Sequence, residues 1–148
     1  MSLEQKYLHF QVEGMSFAIP IEFVKEIVPM PTKLTKIPNN TTLLGITNVR
    51  GQIVPVIDFK ERFQLCKTEQ PRKLLIVENG VLFGIPVDNL VGAITAKENE
   101  VDKFLGFNLF FNDENIKGVI KKGDSLIAVL DATNLILTKT INQQEVAC

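Results

Sequence analysis

Short apolar runs, each closed by glycine, asparagine or proline, recur along the whole chain. Candidate strands are Tyr7–Val12, Ser16–Ile19, Lys25–Val28, Gly45–Val49, Gln52–Phe59, Lys73–Val77, Leu82–Pro86, Gly92–Thr95, Ile116–Lys121 and Ser125–Asp131. They are rich in Val, Ile and Phe, whose shapes suit a pleated, half-buried surface. Glu78-Asn79-Gly80 and Arg50-Gly51 mark tight hairpins, where glycine accepts the positive φ that such turns demand. Few helices are expected: a turn near Lys60–Phe63 and a segment from Ala132 to about Lys139, capped by Asp131.

The pattern is duplicated. Tyr7 to Val28 aligns with Lys73 to Ile94, 66 residues on, so that Leu8 meets Leu74, Gly14 meets Gly80, Phe17 meets Phe83, Ile19-Pro20 meets Ile85-Pro86 and Ile21 meets Val87. A second motif, Leu44 to Asp58, aligns with Lys117 to Asp131 at an offset of 73. Two motifs in the same order describe a repeat. The seven extra residues of the second copy fall around Asp102–Glu114 and are expected to form a loop. Each copy is too short and too β-rich for βαβ units, and about five strands suit a small closed barrel without exposed edges. The expected fold is therefore all-β: two barrels side by side with one continuous core, forming a single domain over 1–148. Its subdomains are about 7–66 and 70–136, with a C-terminal segment at 132–148. Pro20 and Pro86 are expected at strand ends or on an exposed edge, since proline donates nothing to a ladder.

Composition narrows the function. The chain has 148 residues, 45% hydrophobic and 22% charged, enough to bury a core without disulfides or metal. A formal charge of −1 with interspersed signs does not fit nucleic-acid binding, and one Tyr with no Trp gives no stacking platform. Met1–Lys6 lacks the pattern of a signal peptide, and no apolar stretch approaches the ~20 residues that cross a bilayer. A cytoplasmic location without membrane insertion is expected, and with it two free thiols at Cys66 and Cys148.

Candidate chemistry is sparse. The single histidine, His9, lies in an alternating strand and is expected to face solvent. No Cys-x-x-Cys or His-x-x-x-His spacing, Gly-x-Gly-x-x-Gly or P-loop occurs, so neither metal nor cofactor is expected. Asp58 and Asp131 hold equivalent places in the repeat, which reads as turn or cap residues, not a catalytic pair. Phe104–Phe111 is either core or an exposed apolar patch, and core is the expectation. No catalytic residue is assigned.

The segment Asn48-Val49-Arg50-Gly51-Gln52-Ile53-Val54-Pro55-Val56-Ile57-Asp58, preceded by Leu44-Gly45-Ile46-Thr47, closely resembles the signature of the CheW-like chemotaxis coupling proteins. Phe17-Ala18-Ile19-Pro20, Val24-Lys25-Glu26-Ile27, Gly84-Ile85-Pro86-Val87-Asp88 and Ile116-Lys117-Gly118 with Leu130-Asp131 fit the same family, so the match spans roughly Tyr7 to Ile136. Val49 stands where leucine is usual, and Phe59-Lys60 where Leu-Arg is common; lysine lacks the planar fork of arginine. The resemblance implies two SH3-like five-stranded barrels. It further implies a non-enzymatic adaptor joining the cytoplasmic tip of chemoreceptors to the regulatory domain of a histidine kinase, in chemotaxis or a related chemosensory pathway of surface motility or development. A small-molecule-binding double barrel is the rival from another class.

The same resemblance places receptor coupling at Glu26, Asn48, Val49, Arg50 and Gly51. Glu26 and Arg50 are expected to face each other near the groove between the barrels, as recognition elements or as an ordinary surface ion pair. Val87 is expected to wall that groove against a receptor helix. The kinase-facing surface is expected on the first barrel, with no residues assigned.

Overall fold

The computed structural model describes residues 3–40, 42–103 and 115–136. Among the described residues eleven strands are present: β1 (Glu4–Val12), β2 (Met15–Pro20), β3 (Val24–Pro29), β4 (Leu43–Val49), β5 (Gln52–Ile57), β6 (Lys73–Glu78), β7 (Leu82–Val87), β8 (Asn89–Lys97), β9 (Val101–Asp102), β10 (Ile116–Lys122) and β11 (Ser125–Leu130). Two short helices follow β5 and β11, namely α1 (Phe59–Arg62) and α2 (Ala132–Ile136). All ten expected strands are found, and the two-residue β9 is an addition. The end of the C-terminal segment and most of the expected Asp102–Glu114 loop, with its Phe104–Phe111 stretch, lie outside the described residues. The architecture is all-β, two SH3-like barrels.

Sheet membership does not follow the two sequence copies. The six-stranded sheet runs β8-β1-β2-β11-β10-β9 and the five-stranded sheet β3-β6-β7-β5-β4. Each sheet thus takes its central hairpin from one copy and its other strands from the other copy. A cut between residues 66 and 70 separates the repeats but divides both sheets. The equivalence is close all the same. The parallel pair Val56↔Gly84 corresponds to Val129↔Ala18. β4 and β10 each carry a register shift one step before a glycine, at Leu43/Gly45 and Ile116/Gly118. In the first motif the turns differ, two residues after Val12 against three after Glu78, so Leu8 corresponds in register to Leu75 and not to Leu74.

The exchange decides burial. Leu8, Phe10, Val12, Phe17 and Ile19 from the six-stranded sheet meet Leu75, Val77, Phe83, Ile85 and Val87 from the five-stranded sheet in one shared core. The opposite faces fill the separate interiors: Tyr7, Ala18, Ile127 and Val129 in one, Val54, Val56, Leu74 and Ile76 in the other. The single continuous core of the sequence reading is thus three clusters, since a central strand covered on both faces serves two of them at once. Burying each of the Val, Leu, Ile and Phe side chains contributes ~1.5–3 kcal/mol.

Because β1 is central, His9 is not exposed. Only 9% of it reaches solvent, its Nε2 has no hydrogen-bond partner, and burial holds its pKa below the usual imidazole value. In register it corresponds to the buried Ile76: each is the first paired residue beyond a bulge, against Gly92 and Glu26 respectively. Pro20 does close β2, whereas Pro86 is buried inside β7. Cys66 is disulfide-bonded, contrary to the expected free thiol, and Cys148 lies outside the described residues.

The helices brace the sheets. Asp58 Oδ1 accepts from the Glu61 amide at 3.2 Å and Asp131 Oδ1 from the Thr133 amide at 3.0 Å, so the paired aspartates are caps. Phe59 follows the five-stranded sheet yet packs edge-on against Phe17 of the other sheet, with ring centroids 4.9 Å apart. Lys60 Nζ reaches Glu13 Oε2 in the β1–β2 turn at 2.7 Å, and Asn79 in the β6–β7 turn donates to Thr133 at 2.9 Å. These contacts occupy equivalent places, one ionic and one neutral. The Glu13 side chain is 4% exposed. Burial raises its pKa, but donors from Lys60, Thr68 and the Glu69 amide more than offset this and hold it at about 2.

Two predictions follow from this packing. A Cβ at Gly45 would sit 2.7 Å from the Thr35 carbonyl oxygen, which accepts from the Ile46 amide. Gly45→Ala is expected to destabilise by ~1–3 kcal/mol, lowering Tm by roughly 2–4 °C per kcal/mol at this size; an unchanged calorimetric Tm contradicts the close approach. The depressed Glu13 pKa means that its ionised form stabilises the fold above about 4.5, a contribution lost as pH falls towards about 2. Glu13→Gln is expected to lower Tm at pH 7, and thermal scans should show the gap from wild type closing between pH 4.5 and 2.

Candidate functional site

Hairpin β4–β5 turns through two residues, Arg50 and Gly51, both at positive φ (53° and 83°) with Val49 paired to Gln52. Twin left-handed positions match the twist of the strands they join, and glycine takes one of them without strain. Arginine does not: a left-handed L-residue costs ~1–2 kcal/mol. Asn48 compensates in part, its Oδ1 accepting from the Gly51 amide at 2.8 Å.

Strand β3 lies at the far edge of the same sheet and closes against this corner. Its ladder shifts register between Val24 and Glu26, leaving Lys25 as the extra residue of a bulge. Glu26 Oε2 lies 3.3 Å from Arg50 Nη2, with the arginine side chain 80% exposed and the glutamate 24%. Lys25 Nζ lies 2.9 Å from Gln52 Oε1 and 3.3 Å from Glu78 Oε2. An exposed ion pair contributes only ~0–1 kcal/mol, so these contacts shape the corner more than they stabilise the barrel. Ile53, opposite Asn48 in the ladder, is an isoleucine left 66% exposed beside the charges.

Glu26, Asn48, Arg50 and Gly51 are therefore brought together as expected, but the pair joins two edges of one sheet and does not cross between the sheets. Val49 is half-buried against the inner cluster of the five-stranded sheet. Val87 cannot wall a docking groove: it is fully buried in the shared core. Ile21, its partner in the sequence alignment, is 39% exposed, because β2 stops at Pro20 while β7 continues through Val87. Lys25, Gln52, Glu78 and Ile53 were not found from sequence. Only the adjacent apolar residues Ile53 and Val54, of which one must face outward in a strand, carried a usable signal.

The second copy has the same bulge and an equivalent hairpin, with Leu126 exposed where the first has Ile53, but no counterpart of Lys25 or of the Glu26–Arg50 pair. Register places Val91 at Lys25, Gly92 at Glu26, Lys121 at Asn48, Gly123 at Arg50 and Ser125 at Gln52. Gly123, at φ 60°, fills with glycine the left-handed position that Arg50 occupies. Two of the clamp's charged side chains are thus replaced by hydrogen in a copy that folds the same way. Among the described residues no group of three or more His, Cys, Asp and Glu is placed to hold a metal. A cavity of about 240 Å³ beside Tyr7, Glu98, Val101, Lys117 and Val129 belongs to the six-stranded sheet and does not touch the corner.

Comparison with known proteins gives a consistent answer. Residues 6–139 match the family model of the CheW-like domain. The chain is 30% identical over 146 residues to the chemotaxis protein CheW of Bacillus subtilis, covering 96% of this chain and 92% of that one. It is 28% identical over 135 residues to the protein of the same name from Helicobacter pylori, covering 88% and 81%. Among solved structures, the scaffolding protein TtCheW of Thermoanaerobacter tengcongensis superposes with a TM-score of 0.80 at 28% identity, covering 98% of this chain and 94% of that one.

Proposed function

The chain belongs to the CheW-like domain family, and from that premise we propose that it is a scaffold coupling chemoreceptors to the histidine kinase of a chemotaxis pathway. Relatives named as chemotaxis and scaffolding proteins, similar over nearly their whole length, support this reading. So does the one-sided corner. Duplication supplied two equivalent hairpins, both with an exposed apolar residue, Ile53 or Leu126, but only one carries an exposed arginine in a strained backbone position and an ion pair across the seam. Strain held where the sister copy uses glycine points to work done by the side chain.

In this reading the Asn48–Gly51 corner meets the helical receptor tip, with Ile53 as the exposed apolar neighbour in place of Val87. A second surface takes the regulatory domain of the kinase. Affinities near micromolar, about −8 kcal/mol, suffice when many such contacts are held in one assembly. The coupler transmits a signal by contacting two receptor states differently, which shifts the kinase equilibrium. It contributes geometry, and no chemical step is assigned to it.

Arg50→Gly tests this. Glycine relieves the left-handed strain while loosening the unfolded chain, so stability should stay within ~1 kcal/mol of wild type. Binding to a soluble receptor-tip fragment should weaken at least tenfold, about 1.4 kcal/mol, and Arg50→Glu should weaken it further. Binding of both variants at wild-type strength would reduce the pair to an ordinary surface contact.

A further inference from the structure

We infer that Lys25 is a positioning residue that holds the docking corner in its binding shape, an inference resting on the receptor-facing role proposed for the Asn48–Gly51 turn. Glu26 and Arg50 fasten the tip of the turn. They do not reach the side chain of Gln52, the first residue of the strand that departs from it. Lys25 holds that flank, because its single ammonium serves Gln52 on β5 at 2.9 Å and Glu78 at the end of β6 at 3.3 Å. Three donors on one flexible stem suit an ammonium to bridging two acceptors on different strands.

The bulge makes this possible. Regular alternation would send Lys25 and Glu26 to opposite faces, whereas an extra residue locally re-aims its side chain. Two consecutive residues of β3 thereby reach the same corner, one at each flank of the turn. The sister strand keeps the bulge but places Val91 at the extra position, 51% exposed. A barrel of this kind thus folds with no cation there. Lys25 also partly neutralises Glu78, whose carboxylate would otherwise stand unpaired beside the proposed docking surface.

The test is a set of variants of the full chain: Lys25→Met, Lys25→Arg, Gln52→Ala and the double variant Lys25→Met/Gln52→Ala. Amide exchange at Gly51 and Gln52 reports the corner directly, and titration with a receptor-tip fragment and, separately, a kinase regulatory domain reports docking. Lys25→Met should speed exchange at those two amides several-fold and weaken tip binding roughly 3–10-fold, with kinase binding and Tm unchanged. Lys25→Arg should restore both readouts, and the double variant should be no worse than Lys25→Met. Exchange at the wild-type rate in Lys25→Met overturns the inference, as does a parallel loss of tip binding, kinase binding and Tm, which would make the lysine structural. If the wild-type chain does not bind the tip, the proposed function fails, and the exchange rates still decide whether Lys25 shapes the turn.

Discussion

Hairpin β1–β2 presents apolar side chains on both faces, with Leu8, Phe10, Phe17 and Ile19 on one and Tyr7 and Ala18 on the other. Such a hairpin needs cover on two sides. Its own copy supplies neither neighbouring strand: β8 flanks β1 and β11 flanks β2, both from the second half of the chain. Hairpin β6–β7 is placed in the same way between β3 and β5. Removing either half would uncover both sheets, so the exchange makes the two barrels one cooperative body through the core they share.

Around that core the helices complete the tie. Phe59 and Phe63 reach back from α1 and the residue after it to Phe17, and Arg62 donates to the Leu135 carbonyl of α2. The scaffold is close to symmetric in its bulges, caps and parallel pairings, while its polar decoration is not. Glu13 with Lys60 answers Asn79 with Thr133, and a charged corner answers one built on Gly92 and Gly123. In a duplicated protein, features kept by both copies are those the fold requires. Features confined to one copy are open to recognition. The corner's arginine, glutamate and bridging lysine fall in the second group, whereas its exposed apolar Ile53 has a counterpart in Leu126.

Much of the molecule was legible in the residues because the signals are local. Strand alternation, the glycine-bearing turns, the aspartate caps and the two repeated motifs each depend on neighbours a few positions apart, and all appear in the structure. The Glu26–Arg50 pairing was also anticipated, from a family signature and not from spacing, since the partners lie on opposite edges of a sheet whose closure no local pattern reveals.

By itself, then, the chain's order of residues determined an all-β duplicated protein with one distinctive hairpin, because periodicity and turn chemistry act over short range. Tertiary structure alone decided which copy's hairpin completes which sheet, and so which faces are covered. His9 is buried because β1 becomes a central strand, and Val87 because β7 runs on into the shared core. Lys25 reaches Gln52 and Glu78 because a bulge and the closing of a sheet bring three strands to one point. Contacts of that kind depend on how distant segments pack, which a single residue's neighbours in sequence do not encode.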